Sequence, residues 1–187
     1  MYYATFQIQL IAIALRYGNW PYWVSVFVTI LVIYLVISLL LYYLQEYFLF
    51  QPEKLPADFK FLYENQKVEE YNLETRDGAM LNGLHFKVGR SRGVVLYLKG
   101  NSKSIKRWGK FAVDFTRHNY DVIMVDYRGF GKSKGKRSQK AIKRDLQLIY
   151  NTIKKQVNEK HIILYGRSLG SGFATKLASM NKPKCLF

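Results

Sequence analysis

A long uncharged stretch near the N-terminus most constrains what this chain can fold into. No charged residue occurs between Gly18 and Gln45, and bulky apolar residues dominate its inner part, Trp23 to Leu44. As an α-helix, that inner part would be about 33 Å long at roughly 1.5 Å per residue, which matches a hydrocarbon core of about 30 Å. Aromatic side chains, which favour membrane interfaces, flank both ends: Trp20, Tyr22 and Trp23 before it, and Tyr42, Tyr43, Tyr47 and Phe48 after it. We therefore predict a transmembrane helix over about residues 22–44.

Two alternatives to a membrane span fit the run less well. A buried core helix is usually shorter and carries a polar stripe, and a cleaved signal peptide has a charged segment before its apolar run. Arg16 lies before the run, whereas Lys54, Lys60 and Lys67 follow it. Under the positive-inside rule, this small difference predicts a single-pass membrane protein whose C-terminal part is cytoplasmic.

The chain is strongly basic, with a formal net charge of +16 over 187 residues. Between Lys103 and Lys160 there are sixteen lysines and arginines against five acidic residues. No zinc-finger spacing, RNA-recognition signature or basic heptad accompanies this charge, so we expect a solvated face near an anionic membrane surface and no nucleic-acid partner. The lone Cys185 excludes an internal disulfide and a thiolate metal cluster, and no cofactor or metal is predicted. The sequence leaves the oligomeric state open.

Changes in composition, and prolines that break helices, divide the chain into three parts. The membrane segment covers residues 1–48, and the two prolines of FQPEKLPADF mark a connector over residues 49–66. In the remaining part, residues 67–187, Asp77-Gly78 predicts the turn of an antiparallel hairpin.

Strands and helices then alternate along the chain. Near-continuous apolar runs predict buried strands at Gly93–Lys99, Asp121–Asp126 and 162–165. Apolar residues at helical spacing predict helices at Ile105–His118, Ser138–Val157 and from about Leu169 to Met180. Because such alternation builds parallel sheets with crossover helices, the fold class is α/β behind an antiparallel start.

The stretch LYGRSLGSG follows the last of these apolar runs. A sharp turn from strand to helix would hold Ser168 in a strained conformation, so Gly166 and Gly170, two residues to either side, must be small. Gly172 would let the following helix pack close to the sheet. The alternative is an ordinary glycine-rich turn in which Ser168 caps the helix.

Three motifs, YLKGN at residues 97–101, DYRGFGKSKG at 126–135 and GRSLGSG at 166–172, together resemble the α/β-hydrolase superfamily. They are most similar to its single-span membrane-anchored branch, which is related to serine aminopeptidases and acyl-protein thioesterases. The resemblance covers roughly residues 50–187. It implies that Ser168 is a catalytic nucleophile, and that the Leu169 backbone N–H and Asn101 form an oxyanion hole.

Lys99 and Gly131-Lys132-Ser133 depart from what their motifs would lead one to expect. The superfamily usually has His-Gly where this chain has Lys99-Gly100. Gly-Lys-Ser at residues 131–133 also ends the phosphate-binding loop of nucleotide-binding proteins. That motif requires a glycine five positions before Gly131, where this chain has Asp126, so a phosphate-binding loop is excluded. We therefore expect Asp126 and Arg128 to be structural residues that bond locally across their loop.

The rest of a catalytic triad does not follow Ser168. In this superfamily an acid and then a histidine come after the serine, but residues 169–187 contain no aspartate, glutamate or histidine. His85, His118 and His161 all precede the serine, and we expect them to be structural or solvated. The final Cys185–Phe187 is typical of the start of another strand, so we interpret the chain as the front portion of a longer, here incomplete, hydrolase fold.

The sequence therefore predicts a membrane-anchored serine hydrolase. Ser168 would cleave an ester, thioester or amide through an acyl-enzyme, with an acyl lipid or acylated protein as substrate. The 187-residue chain alone is expected to be inactive because it lacks the triad acid and histidine. The alternative is a catalytically inactive, membrane-tethered basic module, or degenerate hydrolase fragment, that binds anionic lipid or a protein partner.

Overall fold

A computed structural model describes residues 21–187 of the chain. The residues Arg16, Gly18 and Trp20, used above for the predicted span and its orientation, lie outside the described residues. Helix α1 covers Tyr22–Leu49 and so continues past the predicted end at residue 44. An 18-residue window of this helix has a mean hydropathy of 2.9, and the helix side chains are exposed or half-buried, so it is long and apolar enough to cross a membrane.

A mixed sheet forms the centre of the compact unit Glu46–Phe187. In the described part of the chain the sheet has six strands, in the order β1-β2-β4-β3-β5-β6. The strands are β1 Lys67–Glu74, β2 Met80–Lys87, β3 Val94–Leu98, β4 Asp121–Val125, β5 Ile162–Gly166 and β6 Cys185–Leu186. β2 is antiparallel to β1 and β4, whereas β4, β3, β5 and β6 are parallel. The predicted α/β architecture is confirmed.

The hairpin between β1 and β2 turns where the sequence predicted. Gly78 has a φ of +76°, a conformation that glycine adopts without steric cost. The Thr75 hydroxyl donates to Asp77 Oδ1 at 2.6 Å, and the Thr75 N–H donates to the Ala79 carbonyl at 2.8 Å. The turn therefore satisfies its own polar groups.

Four helices follow the sheet's parallel strands: α2 Ile105–Trp108, α3 Val113–Thr116, α4 Gln139–Lys154 and α5 Leu169–Met180, counted over residues 50–187. The predicted helix start at Ser138 is confirmed as a cap, because the Ser138 Oγ accepts a hydrogen bond from the Ala141 N–H at 3.1 Å. That helix ends at Lys154, before the predicted Val157.

One helix prediction was wrong. Residues 105–118 form α2, a 3₁₀ turn over Gly109–Ala112 and α3 instead of one helix. The Tyr63 hydroxyl donates to the Ile105 carbonyl at 2.9 Å, and its ring occupies the space that a Cβ on Gly109 would need. A side chain inserted against the first turn breaks the regular ladder of helical hydrogen bonds.

The continuous apolar runs reflect a sheet covered on both faces. In β3, Leu96 and Leu98 belong to a core cluster with α4 and α5. Val95 and Tyr97 point to the other face and pack with the residues around α2 and α3. Because every β3 side chain is buried, this strand shows no polar alternation in the sequence.

β6 confirms the strand predicted at the end of the chain. Cys185 and Leu186 pair in parallel with Ile163 and Leu164 of β5. The Gly166 N–H also donates to the Phe187 carbonyl at 2.9 Å. β5, the strand that leads to Ser168, is therefore paired with β3 on one side and with β6 on the other.

Candidate active site

Ser168 lies between the end of β5 and the start of α5, in a strained backbone conformation. Its φ of 55° and ψ of −124° are unusual for a residue other than glycine. The residue is exposed, and its side chain makes no capping hydrogen bond. The alternative in which Ser168 caps a relaxed turn is therefore contradicted.

Two of the three glycines around Ser168 are required by close backbone packing. A Cβ on Gly166 would lie 2.6 Å from the Gly170 carbonyl oxygen, and a Cβ on Gly170 would collide with the Leu98 carbonyl. Gly172 is different, because a Cβ there would meet nothing within 4 Å. The expectation that Gly172 allows close helix packing was wrong, since that position faces open space.

The loop after β3 passes next to the candidate nucleophile. A Cβ built on Gly100 would be 3.5 Å from the Ser168 Cβ and 3.2 Å from the Trp108 ring. The Asn101 side-chain amide already donates to the Leu49 carbonyl at 2.7 Å. Within residues 21–187, the backbone N–H groups of Asn101 and Leu169 donate to no protein acceptor. The described part of the chain therefore leaves both of these amides without a hydrogen-bond acceptor.

The connector after α1 holds this loop from outside, which the sequence did not indicate. The Gln51 N–H donates to the Asn101 carbonyl at 2.9 Å, and the Lys103 N–H donates to the Gln51 carbonyl at 3.1 Å. The Glu53 carboxylate accepts from the Ser104 hydroxyl at 2.8 Å. Burial raises the pKa of Glu53, but the hydrogen bonds from Ser104 and the charges of Lys103 and Lys106 together outweigh burial, so the pKa lies below its ordinary value.

Lys99 and Asp126 form a fully buried ion pair beneath the loop, 3.6 Å apart. Burial lowers the pKa of Lys99 and raises the pKa of Asp126, because both charged forms lose their hydration. Both Asp126 oxygens accept from the Ile105 N–H, at 3.0 and 3.1 Å, which favours the ionised carboxylate.

Asp126 and Arg128 are structural, and the predicted bonding across their own loop is found for Asp126, whose carbonyl accepts from the Ser133 hydroxyl at 2.7 Å, whereas their side chains bond elsewhere. Asp126 reaches Ile105 at the start of α2. The buried Arg128 donates to Asp145 on α4 at 2.6 Å and to Asp77 in the hairpin turn at 2.8 Å. The hydrogen bonds from Arg128 hold the pKa of Asp77 well below its usual range. These side chains join distant segments rather than one loop.

The three histidines lie towards the opposite edge of the sheet. His85 Nε2 is 2.9 Å from Asp121 Oδ2, at the start of β4. His118 shortly precedes β4, and His161 directly precedes β5. Since β4 and β5 are parallel to β3, these positions mark the amino ends of the strands. Ser168 follows the carboxyl end of β5, so none of these histidines is placed to act as its base.

Comparison with known proteins identifies the family. A family described as "Serine aminopeptidase, S33" matches residues 89–186, just over half of the 187-residue chain. The chain belongs to this family of α/β-hydrolases. The resemblance inferred from the three sequence motifs is thereby confirmed.

Curated relatives of this α/β-hydrolase include two vertebrate proteins. Lysophosphatidylserine lipase ABHD12 of Danio rerio is 36% identical over 91 residues, which cover 46% of this chain and 23% of the relative. Alpha/beta hydrolase domain-containing protein 17C of Xenopus tropicalis is 31% identical over 128 residues, covering 66% of this chain and 41% of the relative. The chain thus spans less than half the length of either relative.

Solved structures show the same fold. The esterase Pf2001 of Pyrococcus furiosus superposes with a TM-score of 0.57 at 23% identity, over 73% of this chain and 56% of that chain. An α/β-hydrolase from Vibrio vulnificus gives a TM-score of 0.57 at 25% identity, over 66% of this chain and 45% of that chain. The α/β fold described above is therefore that of the superfamily.

Proposed function

We propose that Ser168 is the nucleophile of a membrane-anchored serine hydrolase that cleaves an ester, thioester or amide. The observation that carries the proposal is the backbone of Ser168, whose φ of 55° and ψ of −124° present an exposed, uncommitted hydroxyl just beyond β5. Such strain persists only where the surrounding structure enforces it, and it is common at active sites. The close packing at Gly166 and Gly170 supplies that enforcement.

The proposed reaction has two steps. The Ser168 Oγ passes its proton to a histidine as it attacks the substrate carbonyl carbon, and the histidine gives that proton to the departing leaving group. The same histidine then takes a proton from the water that hydrolyses the acyl-enzyme and returns it to Ser168. The uncommitted N–H groups of Leu169 and Asn101 are the proposed donors to the oxyanion that forms in both steps. Loss of one such donor typically lowers the rate about 10²- to 10³-fold.

The base that the reaction needs is not in residues 169–187, which contain no aspartate, glutamate or histidine. Because the superfamily places both groups after the serine, we propose that polypeptide encoded beyond Phe187 supplies them. For the 187 residues alone we expect only the residual effect of binding and the oxyanion hole, roughly 10³- to 10⁴-fold over water.

The proposed substrate is an acyl lipid, with an acylated protein as the next candidate. Among the relatives, the Danio rerio protein is named a lysophosphatidylserine lipase. A structural neighbour from Saccharomyces cerevisiae is a monoglyceride lipase. Helix α1, as a single-pass anchor with the hydrolase unit on the cytoplasmic side, would keep Ser168 close to acyl chains in the bilayer.

A fluorophosphonate probe, which forms a covalent adduct with activated serines, tests the proposal in membranes that contain the product of the whole reading frame. We expect labelling of the wild type, complete loss of labelling in Ser168→Ala, and retention in Ser179→Ala. Ser179 is an exposed serine near the end of α5 and serves as the matched control. Labelling that survives in Ser168→Ala, or an unlabelled wild type, would contradict the proposal.

The strong positive charge favours a second candidate, a membrane-tethered basic module without catalysis. This function predicts that the wild-type protein does not react with the fluorophosphonate probe but binds vesicles containing phosphatidylserine. It also predicts that vesicle binding weakens as the salt concentration rises. It also predicts that Ser168→Ala leaves vesicle binding unchanged. A labelled wild type would exclude it as the sole function.

A further inference from the structure

Lys99 is a charged side chain in an apolar position. It follows β3 directly and is completely buried. Its Nζ lies 3.6 Å from the centre of the Phe130 ring and 4.8 Å from that of Tyr127, both of which are buried. A buried ammonium is costly unless it is paired and hydrogen-bonded, so its contacts should explain its presence.

The polar contacts of Lys99 lead to the loop beside Ser168. Its Nζ donates to the Lys103 carbonyl at 3.0 Å, and its charge faces Asp126 at 3.6 Å. The Tyr127 hydroxyl, in turn, donates to the Lys99 carbonyl at 2.7 Å. The side chain of Lys99 therefore connects the two ends of the segment 100–102, which contains Gly100 and Asn101.

The residue that follows this segment has a strained backbone. Lys103 has a φ of 59°, a backbone conformation that residues other than glycine rarely adopt. Its N–H is held from outside by the Gln51 carbonyl and its carbonyl is held from inside by Lys99. The two hydrogen bonds hold one peptide segment from opposite sides, which is how a strained loop keeps a single conformation.

We propose that Lys99 is a positioning residue for the oxyanion loop, residues 100–103, which carries the proposed donor Asn101 and passes Ser168 at Gly100. The buried ammonium of Lys99 fixes the Lys103 carbonyl and thereby the placement of the Gly100 and Asn101 amides. The proposal rests on the proposed function, because the placement of these amides affects a reaction only if Ser168 is the nucleophile. Lys99 does not touch the reacting atoms. It acts through the backbone of the loop.

Charged groups from three other segments face Lys99. Asp126 approaches from the end of β4, Glu53 from the connector, and Arg137 from the loop before α4. The carboxylates of Asp126 and Glu53 favour the ammonium, whereas burial and Arg137 oppose it. A variant that removes the lysine alone would leave Asp126 buried and unpaired, so a test of positioning must neutralise both partners.

The first experiment measures amide hydrogen exchange in the full 187-residue chain, reconstituted in nanodiscs. We compare the wild type with Lys99→Met/Asp126→Asn, which removes the tether without leaving an unpaired buried charge. We expect the hydrogen-bonded amides of Lys103 and Ser104 to exchange about 10-fold faster or more, because the Lys99 hydrogen bond that holds this segment is lost, while α4 and α5 keep their protection. Lys106→Met, which removes an exposed lysine from α2, serves as the control and should leave exchange unchanged.

The second experiment measures kinetics of the whole reading-frame product with a p-nitrophenyl acyl ester. For Lys99→Met/Asp126→Asn we expect kcat to fall about 10-fold or more with KM unchanged, because oxyanion donors act mainly in the transition state. A variant that merely loosened the fold would instead lower the amount of active enzyme. Titration with the fluorophosphonate probe measures that amount, so kcat is expressed per active site.

The two experiments separate failure of the tether from failure of the proposed function. Unchanged exchange at the Lys103 and Ser104 amides overturns the role of Lys99, whether or not Ser168 reacts. Faster exchange with an unchanged kcat per active site also overturns it, because the loop would then not need fixing. If Ser168→Ala retains full activity, the proposed function fails, and the exchange result still decides whether Lys99 holds the loop.

Discussion

At the carboxyl edge of the parallel strands Ser168 is exposed and strained, whereas at the amino edge His85 and Asp121 are bonded to each other at 2.9 Å. The Asp121 carboxylate also accepts from the Val88 N–H at 3.0 Å. The polar groups of the amino edge are thus used for pairing, while the carboxyl edge leaves a hydroxyl and the Leu169 and Asn101 amides uncommitted within the described chain. Uncommitted polar groups on a strained, well-supported backbone mark the edge where chemistry is expected.

The comparison also shows how strain at the carboxyl edge is maintained. The strained Ser168 is enclosed by glycines that fit only without side chains, and the strained Lys103 is tethered to Gln51 and Lys99. At the amino edge, by contrast, the side chains of His85 and Asp121 are paired with each other. The following predictions test this difference, starting with the largest expected effect.

Breaking the buried charge pair of the carboxyl edge should cost far more than breaking the pair of the amino edge. Lys99→Met leaves Asp126 unpaired and should lower the free energy of unfolding by about 3–5 kcal/mol. Asp121→Asn, in a half-exposed pair, should lower it by about 1 kcal/mol. Urea unfolding in mild detergent, followed by circular dichroism, measures both. Equal losses would contradict the difference between the edges.

Substitution by alanine should change the stability of the fold in opposite directions at Gly170 and at Gly172. Gly170→Ala places a Cβ against the Leu98 carbonyl and should destabilise the fold by about 3 kcal/mol. Gly172→Ala adds a Cβ in open space within α5 and should stabilise it by roughly 0.5–1 kcal/mol. Thermal unfolding of the two variants decides; a stable Gly170→Ala protein would rule out the tight turn.

Removing the side chain of Ser168 should release strain. Ser168→Gly should raise the free energy of unfolding by about 1 kcal/mol, because glycine adopts positive φ values readily. Ser179→Gly, in the last turn of α5, should instead lower it by roughly 0.5 kcal/mol. The same unfolding measurement applies, and a loss of stability in Ser168→Gly would mean that the backbone at this position is relaxed.

The smallest expected effect is on how the stability of the fold changes at acid pH. Because the pKa of Asp77 is lowered in the folded state, the unfolded state binds more protons, and the stabilisation by Asp77 is present above its ordinary pKa. That stabilisation is lost as the pH falls below about 4. Unfolding measured from pH 5 to pH 2.5 should show a shallower loss of stability in Asp77→Asn than in the wild type. Asp58→Asn, at an exposed connector residue, should keep the wild-type slope.

Local patterns predicted much of this molecule. The hairpin turn at Asp77-Gly78, the buried β3 and β5, the helix after Ser168 and the strand at Cys185 all follow from residues within a few positions of each other. Gly166 and Gly170 were likewise predictable, since a sharp turn from strand to helix imposes its own steric rules.

Contacts between distant segments were not predictable from these patterns. Tyr63 breaks the helix after Ile105, 42 residues away, and Asp145 binds Arg128 from a different element. The connector's hold on the oxyanion loop depends on backbone groups of Gln51, which leave no signature in the sequence. The role of Gly172 was misjudged because glycine spacing does not reveal which face of a helix meets the sheet.

The most direct test of the account maps the fluorophosphonate adduct by mass spectrometry on the product of the whole reading frame, after reaction in membranes. The account predicts one modified residue, Ser168, and no adduct on the other exposed serines of α5, Ser171 and Ser179. An adduct confined to another residue, or a protein that stays unmodified while a known serine hydrolase in the same membranes reacts, would contradict it.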